Sequence, residues 1–276
     1  IASARNSGLK IANGEFIIFG DSDDYYDSEY LEKLFMYIHD NKHSDTLIAF
    51  NYVNVWPNSI DSKIIYKEKK ISLSTSSDRI NFLSTSTSHR SIGYAIWDKV
   101  YSKKIIDKYG IEVLERDIMN NRDDWAEDLS FNLHYLLHID NIQVLELPVY
   151  MLRKHGDINE QNEDALLNRF THMMKFFNEI KIKTSDNFIR RNFWKIIIWH
   201  MYRYIYVDLS RKDIKTLRKE YINDDFWEMF LECIELALDN WDEYSKNRWN
   251  KLVSKEYKNI LKYLKDGNYT LYKFKN

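Results

Sequence analysis

Two rounds of alternation between helical and strand patterning within the first 55 residues constrain this fold more than any other feature of the chain. Residues Ala2 to Ala12 read as a helix with Leu9, Ile11 and Ala12 on its apolar side. Asn13-Gly14 ends it, since a glycine just past a helix terminus relieves the backbone there. Glu15 to Phe19 is a short apolar run closing at Gly20-Asp21, the pattern of a buried strand. Asp27-Ser28 caps a second helix, in which Leu31, Leu34, Phe35 and Ile38 fall at helical spacing, and Thr46 to Val55 forms a second strand. That order argues for an α/β layer built on a parallel sheet. With 2 prolines and 7 glycines in 276 residues, the remaining elements should be long, with few tight turns.

Further along, the Ser/Thr-rich stretch Ser72 to Ser88 is expected to include a mobile loop, and Tyr94 to Tyr101 and Ile142 to Tyr150 to form strands. Glu127 to Leu137 reads as a helix. From about Glu160 the period becomes helical: Leu166, Phe170, Met173, Phe177 and Ile180 share one face. Similar patterning recurs over Phe188–Val207, Ile214–Ile222, Phe226–Leu238 and Leu252–Leu264. An α-helical C-terminal region therefore follows the α/β part.

Composition narrows the function. Lys+Arg 40 against Asp+Glu 42 gives a formal charge of -2, without the concentrated basic surface that nucleic-acid backbones require, so no nucleic-acid partner is expected. The single cysteine, Cys233, excludes an internal disulfide framework and suits a reducing, cytoplasmic setting; its apolar surroundings make it core filler. The longest apolar stretch, Ile196 to Val207, is too short to span a bilayer and contains His200 and Arg203, so it reads as a buried helix. The 20 Tyr, 14 Phe and 8 Trp are accounted for mainly by a large aromatic core.

The chemistry concentrates at Asp21-Ser22-Asp23-Asp24, directly after a strand, where open α/β sheets bind ligands. Two carboxylates one residue apart can serve a hard divalent cation whose other positions are filled by water and diphosphate. The bland alternative is a solvated acidic turn leading into the helix at Asp27. A calcium loop is excluded, because Tyr25 and Tyr26 stand where it needs Asp or Asn and then Gly. A phosphatase with Asp21 as nucleophile and Asp23 as general acid stays open on these residues alone.

Taken together, Ala4-Arg5-Asn6-x-Gly8-Leu9-x-x-Ala12-x-Gly14-Glu15-Phe16-Ile17-x-Phe19-x-Asp21-Ser22-Asp23-Asp24 resembles the Asp-x-Asp segment of family 2 glycosyltransferases. The resemblance continues at Trp97-Asp98-Lys99-Val100-Tyr101, at Glu127-Asp128-Leu129-Ser130-Phe131 and at Tyr150-x-x-Arg153-x-His155. It implies a GT-A-like, Rossmann-like mixed sheet flanked by helices over 1–156, with 157–276 as the helical region. It also implies that the family's opening strand–loop–helix lies upstream of Ile1. Gly20, where the family usually has an apolar residue, and Asp98, where it usually has Asn, depart from the pattern.

The function implied by the resemblance is inverting transfer of a sugar from a nucleotide-sugar donor, a UDP-sugar, to a hydroxyl of a glycan, lipid-linked or protein acceptor. Its setting is surface-polysaccharide or glycoconjugate synthesis. Mn²⁺ or Mg²⁺ would be held by Asp23 and His155. Asp21 would orient the ribose or share the metal, and Arg5 would contact the nucleotide. Asp128, seconded by Glu127, would be the general base, against the simpler reading that both acids only favour a helix N-terminus. Trp97 would wall the acceptor site or pack the core, and Lys99 would face the diphosphate or solvent. The helical region suits homo-oligomer formation or peripheral membrane association. A non-catalytic glycan-binding or scaffold module is the reading from another functional class.

Overall fold

In the computed structural model the described residues are 1–41, 45–61, 65–85, 92–113, 127–154, 163–202, 224–246, 248–249 and 251–267, with the side chains of 163–172 and 224–226 excepted. They fall into two compact units: the described residues of 1–79, 92–113 and 127–154 form the first, those of 80–85 and 163–267 the second.

The chain opens with α1 (Ala2–Ile11), β1 (Phe16–Ile17), β2 (Tyr25–Tyr26) and α2 (Ser28–Asp40). The expected cap of α2 is present: the Asp27 carboxylate accepts from the backbone N–H groups of Glu29 and Tyr30, satisfying two donors that a helix start leaves unpaired. Leu34 and Ile38 are buried as their spacing predicts, whereas Phe35 is exposed. There follow β3 (Thr46–Trp56), β4 (Ser59–Asp61), β5 (Lys69–Ser72), α3 (Ser76–Leu83), β6 (Lys99–Ser102), α4 (Lys103–Tyr109), α5 (Glu127–Leu136) and β7 (Asn141–Arg153).

Among the described residues the sheet has the order β1-β6-β3-β7-β2, with β4 added to β3 and β5 to β7. The expectation of a parallel sheet is corrected: β3 and β7 pair in parallel, and every other described pair is antiparallel. The sheet is mixed, as the GT-A-like pattern requires. The β3–β7 register slips on either side of Asn51, whose partner is Pro148. A proline cannot donate to a ladder, so pairing there must break. The fully buried Asn51 side chain repairs the gap, donating to the carbonyls of Leu145 and Tyr66 and accepting from the N–H groups of Ile65 and Tyr66. A buried core of Leu34, Ile38, Ile48, Phe50, Val100, Val149 and Tyr150 joins α2 to the sheet.

Within the stretch expected to include a loop, Ser76–Leu83 is helical: Asp78 accepts from the Thr75 N–H and hydroxyl, and Ile80, Phe82 and Leu83 are buried. The strand expected over Tyr94 to Tyr101 shortens to β6, the preceding residues forming turns.

The second unit contains α6 (Glu163–Lys183), α7 (Asn187–Asn192), α8 (Trp194–Met201), α9 (Asp224–Asp239), α10 (Trp241–Ser245) and α11 (Lys251–Lys265). Ile214–Ile222 lies outside the described residues. Helix α8 is largely apolar and mostly buried, and the hydroxyls of Tyr244 and Tyr257 donate to the carbonyls of Lys195 and Ile198. Cys233 is buried and unbonded, as expected of core filler. No described helix is long and apolar enough to cross a membrane.

Candidate functional site

The site begins at α1. Asn6 is buried, and its amide donates to the Val113 carbonyl and accepts from the Val113 N–H, both at 2.8 Å. This two-point backbone pairing fixes the rotation of α1 and hence where its neighbour Arg5 projects. The Arg5 guanidinium gathers three carboxylates from distant parts of the sequence. Its Nη1 donates to Glu127 Oε1 at 2.9 Å and to Asp128 Oδ1 at 2.6 Å, and its Nη2 donates to Asp21 Oδ1 at 2.7 Å. Side-chain exposures are 12% for Arg5, 7% for Glu127, 18% for Asp128 and 33% for Asp21, so the cluster is shielded but open on the Asp21 side.

The electrostatics follow from this geometry. Burial works against the Arg5 charge, but Asp128, Asp21 and Glu127 together outweigh it and hold the guanidinium firmly protonated. The Asp128 carboxyl is shifted upward: burial is the main cause and Asp21 adds to it, while Arg5 and the N–H of Ile96 pull the other way. That N–H donates to Asp128 Oδ2 at 3.3 Å, so both oxygens of the carboxylate are held.

The acidic turn is built separately. The Asp24 N–H closes it onto the Asp21 carbonyl, and Tyr25 and Tyr26 then pair antiparallel with Met151 and Tyr150. The Asp24 carboxylate accepts from the Arg153 N–H at 2.7 Å and the Tyr150 hydroxyl at 2.8 Å, and the same hydroxyl accepts from the Asp21 N–H at 3.0 Å. Asp24 is therefore structural, tying the turn to β7. Gly20 acquires a reason: a Cβ there would lie 3.2 Å from Cε2 of Tyr26, whose hydroxyl holds the Phe19 carbonyl. Asp23 sits exposed on the turn.

Of the residues expected in the site, Arg5, Asp21, Glu127 and Asp128 are brought into direct contact, and Asp23 follows Asp21 on the same turn. Arg5, expected on the nucleotide, has carboxylates as its partners. Trp97 is half-buried and stacks on Tyr150, centroids 4.6 Å apart, with its edge contact to Tyr52. Its packing role is thus on view, with part of the indole left accessible. His155 lies outside the described residues. Lys99, expected to face the diphosphate or solvent, is fully buried and paired with the equally buried Asp98. That pairing gives Asp98, in place of the usual Asn, a physical role.

Sequence reasoning missed Tyr150 as the link between Asp21 and Asp24, because a tyrosine in an apolar strand reads as core. It also missed Asn132, whose amide in the middle of buried α5 was the available signal. Among the described residues no group of three or more His, Cys, Asp or Glu side chains forms a metal cage. The donor chemistry nonetheless suits a magnesium-like ion, which takes one or two carboxylate oxygens and fills its shell with water and phosphate, and the exposed Asp23 offers such an oxygen. A cavity of about 510 Å³ runs along α1 and 14–20; the side chains that line it are apolar apart from Arg5.

Residues 1–110 match the family model described as Glycosyl transferase family 2. S. aureus TarS residues 1–349 in complex with UDP-GlcNAc is similar in structure, with a TM-score of 0.59 at 17% identity, over 98% of this chain and 73% of that one. The same TarS fragment in complex with UDP gives a TM-score of 0.55 at 17% identity, over 97% of this chain and 72% of that one. The longer S. aureus TarS structure gives 0.54 at 16% identity, over 96% of this chain and 40% of that one. At these identities the likeness establishes the fold. No curated protein sequence matches the chain.

Proposed function

We propose that the chain is an inverting, metal-dependent glycosyltransferase of the family 2 type using a UDP-sugar donor, a reading supported by the match of residues 1–110 to the Glycosyl transferase family 2 model. The observation that carries this reading is the gathering of Asp21, Glu127 and Asp128 around Arg5, which couples the acidic turn to the N-terminus of α5. The UDP-GlcNAc and UDP bound by the similar TarS structures support a uridine donor.

Asp128 is the general base. An acceptor hydroxyl placed at its carboxylate forms a bond to the anomeric carbon as the bond from that carbon to the diphosphate breaks, and the hydroxyl proton passes to Asp128. Attack from the face opposite the leaving group inverts the anomeric centre. A base in this role typically contributes about two to four powers of ten. Burial suits Asp128 to the work, because it raises the carboxylate's affinity for a proton. Arg5 orients Asp128 through Oδ1 and holds Asp21 beside it. Glu127, buried at the same helix start, balances the guanidinium.

Asp23 would hold a bound Mg²⁺ or Mn²⁺, with His155 as the second expected protein ligand, and the ion would neutralise charge on the departing diphosphate. Trp97 offers an aromatic edge to an acceptor sugar. The acceptor class follows the family: a glycan, lipid-linked or protein hydroxyl in surface-polysaccharide or glycoconjugate assembly on the cytoplasmic side. No observation favours Asp21 as a phosphatase nucleophile.

The test is nucleotide release across a panel of sugar nucleotides with and without Mn²⁺, on wild type and on Asp128→Asn. The variant should lose turnover while calorimetry shows metal-linked donor binding retained. Loss of donor binding would instead make Asp128 a structural residue.

A further inference from the structure

Asp98 and Lys99 are adjacent in sequence, fully buried, and paired with each other. Removing two charges from water is costly, and a buried pair replaced by apolar residues often leaves a protein no less stable. Stability alone gives this pair little to do. Its contacts point elsewhere. Lys99 Nζ donates to Asp98 Oδ1 and to the Ala95 carbonyl, and Asp98 Oδ2 accepts from the Tyr66 hydroxyl at 3.2 Å. The Ala95 carbonyl also accepts from the Asn132 amide at 2.8 Å, and the Asn132 oxygen is held by the Tyr101 hydroxyl at 2.6 Å. Two donors, one of them charged, therefore grip one carbonyl oxygen.

That oxygen belongs to the peptide unit whose nitrogen is Ile96 N, the donor to Asp128 Oδ2. A peptide is planar, so fixing its oxygen fixes the direction of its N–H. An ammonium on the carbonyl also polarises the amide and strengthens the N–H as a donor. We propose that Lys99, balanced by Asp98 and seconded by Asn132, is a positioning residue that acts through the Ala95–Ile96 peptide to orient and tune the Asp128 carboxylate. The proposal rests on the reading of Asp128 as general base. Lys99 touches neither reactant; its effect on the reaction is transmitted entirely by one peptide plane.

The direction of the effect follows. The Ile96 N–H favours the charged form of Asp128, so loosening it raises the pH at which the base becomes competent. The experiment compares kcat and kcat/KM against pH for wild type, Asp98→Leu/Lys99→Met, Asn132→Ser and Asp128→Asn, each shown to be folded by circular dichroism. The double variant removes both charges together, so no buried charge is left unpaired and the loss is confined to the acceptor of the Tyr66 hydroxyl. Its kcat should fall about tenfold with donor KM little changed, the size of effect expected when one charge-assisted contact behind a base is lost. Its acidic limb should also move to higher pH. Asn132→Ser should shift the same limb in the same direction, which keeps the proposal testable if the double variant does not fold. A wild-type pH profile in either folded variant, with Asp128→Asn inactive, overturns the positioning role and leaves the base in place. An active Asp128→Asn overturns the base itself, and the positioning role falls with it.

Discussion

Removing the Arg5 guanidinium should expose how much charge the site holds in check. Three carboxylates lie within 2.9 Å of its nitrogens, so in Arg5→Ala they face one another across the space it vacates. For two such charges about 5 Å apart, an effective dielectric of about 20 gives roughly 3 kcal/mol of repulsion. Removing one partner of a buried ion pair costs about 3–5 kcal/mol by comparison with similar cases. The partial exposure of Asp21 argues for the lower end, so we expect Arg5→Ala to destabilise the protein by about 3 kcal/mol near neutral pH. The pH dependence is the decisive part. Without Arg5 the Asp128 carboxyl, already held above its ordinary value by burial, rises further, so stability is lost as pH climbs from the ordinary carboxylate range through that raised folded value. Urea unfolding at several pH values should show a deficit that is small near pH 4, grows upward and then levels. Arg5→Lys should recover part of it, since an ammonium carries the charge but lacks the fork that reaches three acceptors. A deficit of constant size from pH 4 to 8 would refute the reasoning and make Arg5 a packing residue.

Two further outcomes follow from the same contacts. Tyr150→Phe leaves the Asp21 N–H and one Asp24 oxygen without the hydroxyl they share; we expect about 1–3 kcal/mol of destabilisation by urea unfolding and a higher donor KM as the turn loosens, and an unchanged KM would separate the turn from donor binding. Cys233 should be inert in the folded protein, because burial pushes its thiol up to about 12, so a thiol reagent at pH 8 should label it only after denaturant is added; rapid native labelling would contradict its place in the core.

The parts of the fold legible in the sequence are those fixed by neighbours in the chain. The Asp27 cap, α1 and the long strands announce themselves within a few residues of local pattern. The parts that stayed hidden depend on distant pairing. Arg5 meets Glu127 and Asp128 across 122 and 123 residues, and nothing in the local pattern of either segment specifies the other. Family resemblance placed all three in one site but gave Arg5 a ligand as its partner rather than the carboxylates. Asp98-Lys99 misleads for a different reason: a lysine in a strand at a suspected site suggests a diphosphate or solvent, whereas here it is buried against its own neighbour, with the Tyr66 hydroxyl arriving on Asp98 from a distant segment. Asn51 passed unremarked inside the strand pattern, because its partners at Ile65, Tyr66 and Leu145 come from other segments of the chain.

A carboxylate base working near neutrality faces opposing demands, and the surroundings of Asp128 show how they are reconciled. It must stay charged to accept a proton, which the guanidinium and the Ile96 N–H favour, yet it must be basic enough to take one, which burial and the nearby Asp21 favour. The net shift is upward, so the second pair prevails, and Arg5 limits the excess while fixing the geometry. Asp21 therefore has a part to play at the base as well as at the donor: its charge draws on the same guanidinium and loads Asp128 in the same direction as burial. Neutralising it in Asp21→Asn should lower the pH at which the base becomes competent, moving the acidic limb of kcat opposite to the shift expected from Asp98→Leu/Lys99→Met. Opposite shifts from two sites that both contact the base indirectly would be hard to produce by general loosening of the fold. A shift of the same sign in both would mean that misorientation of Asp128, rather than its proton affinity, governs the rate.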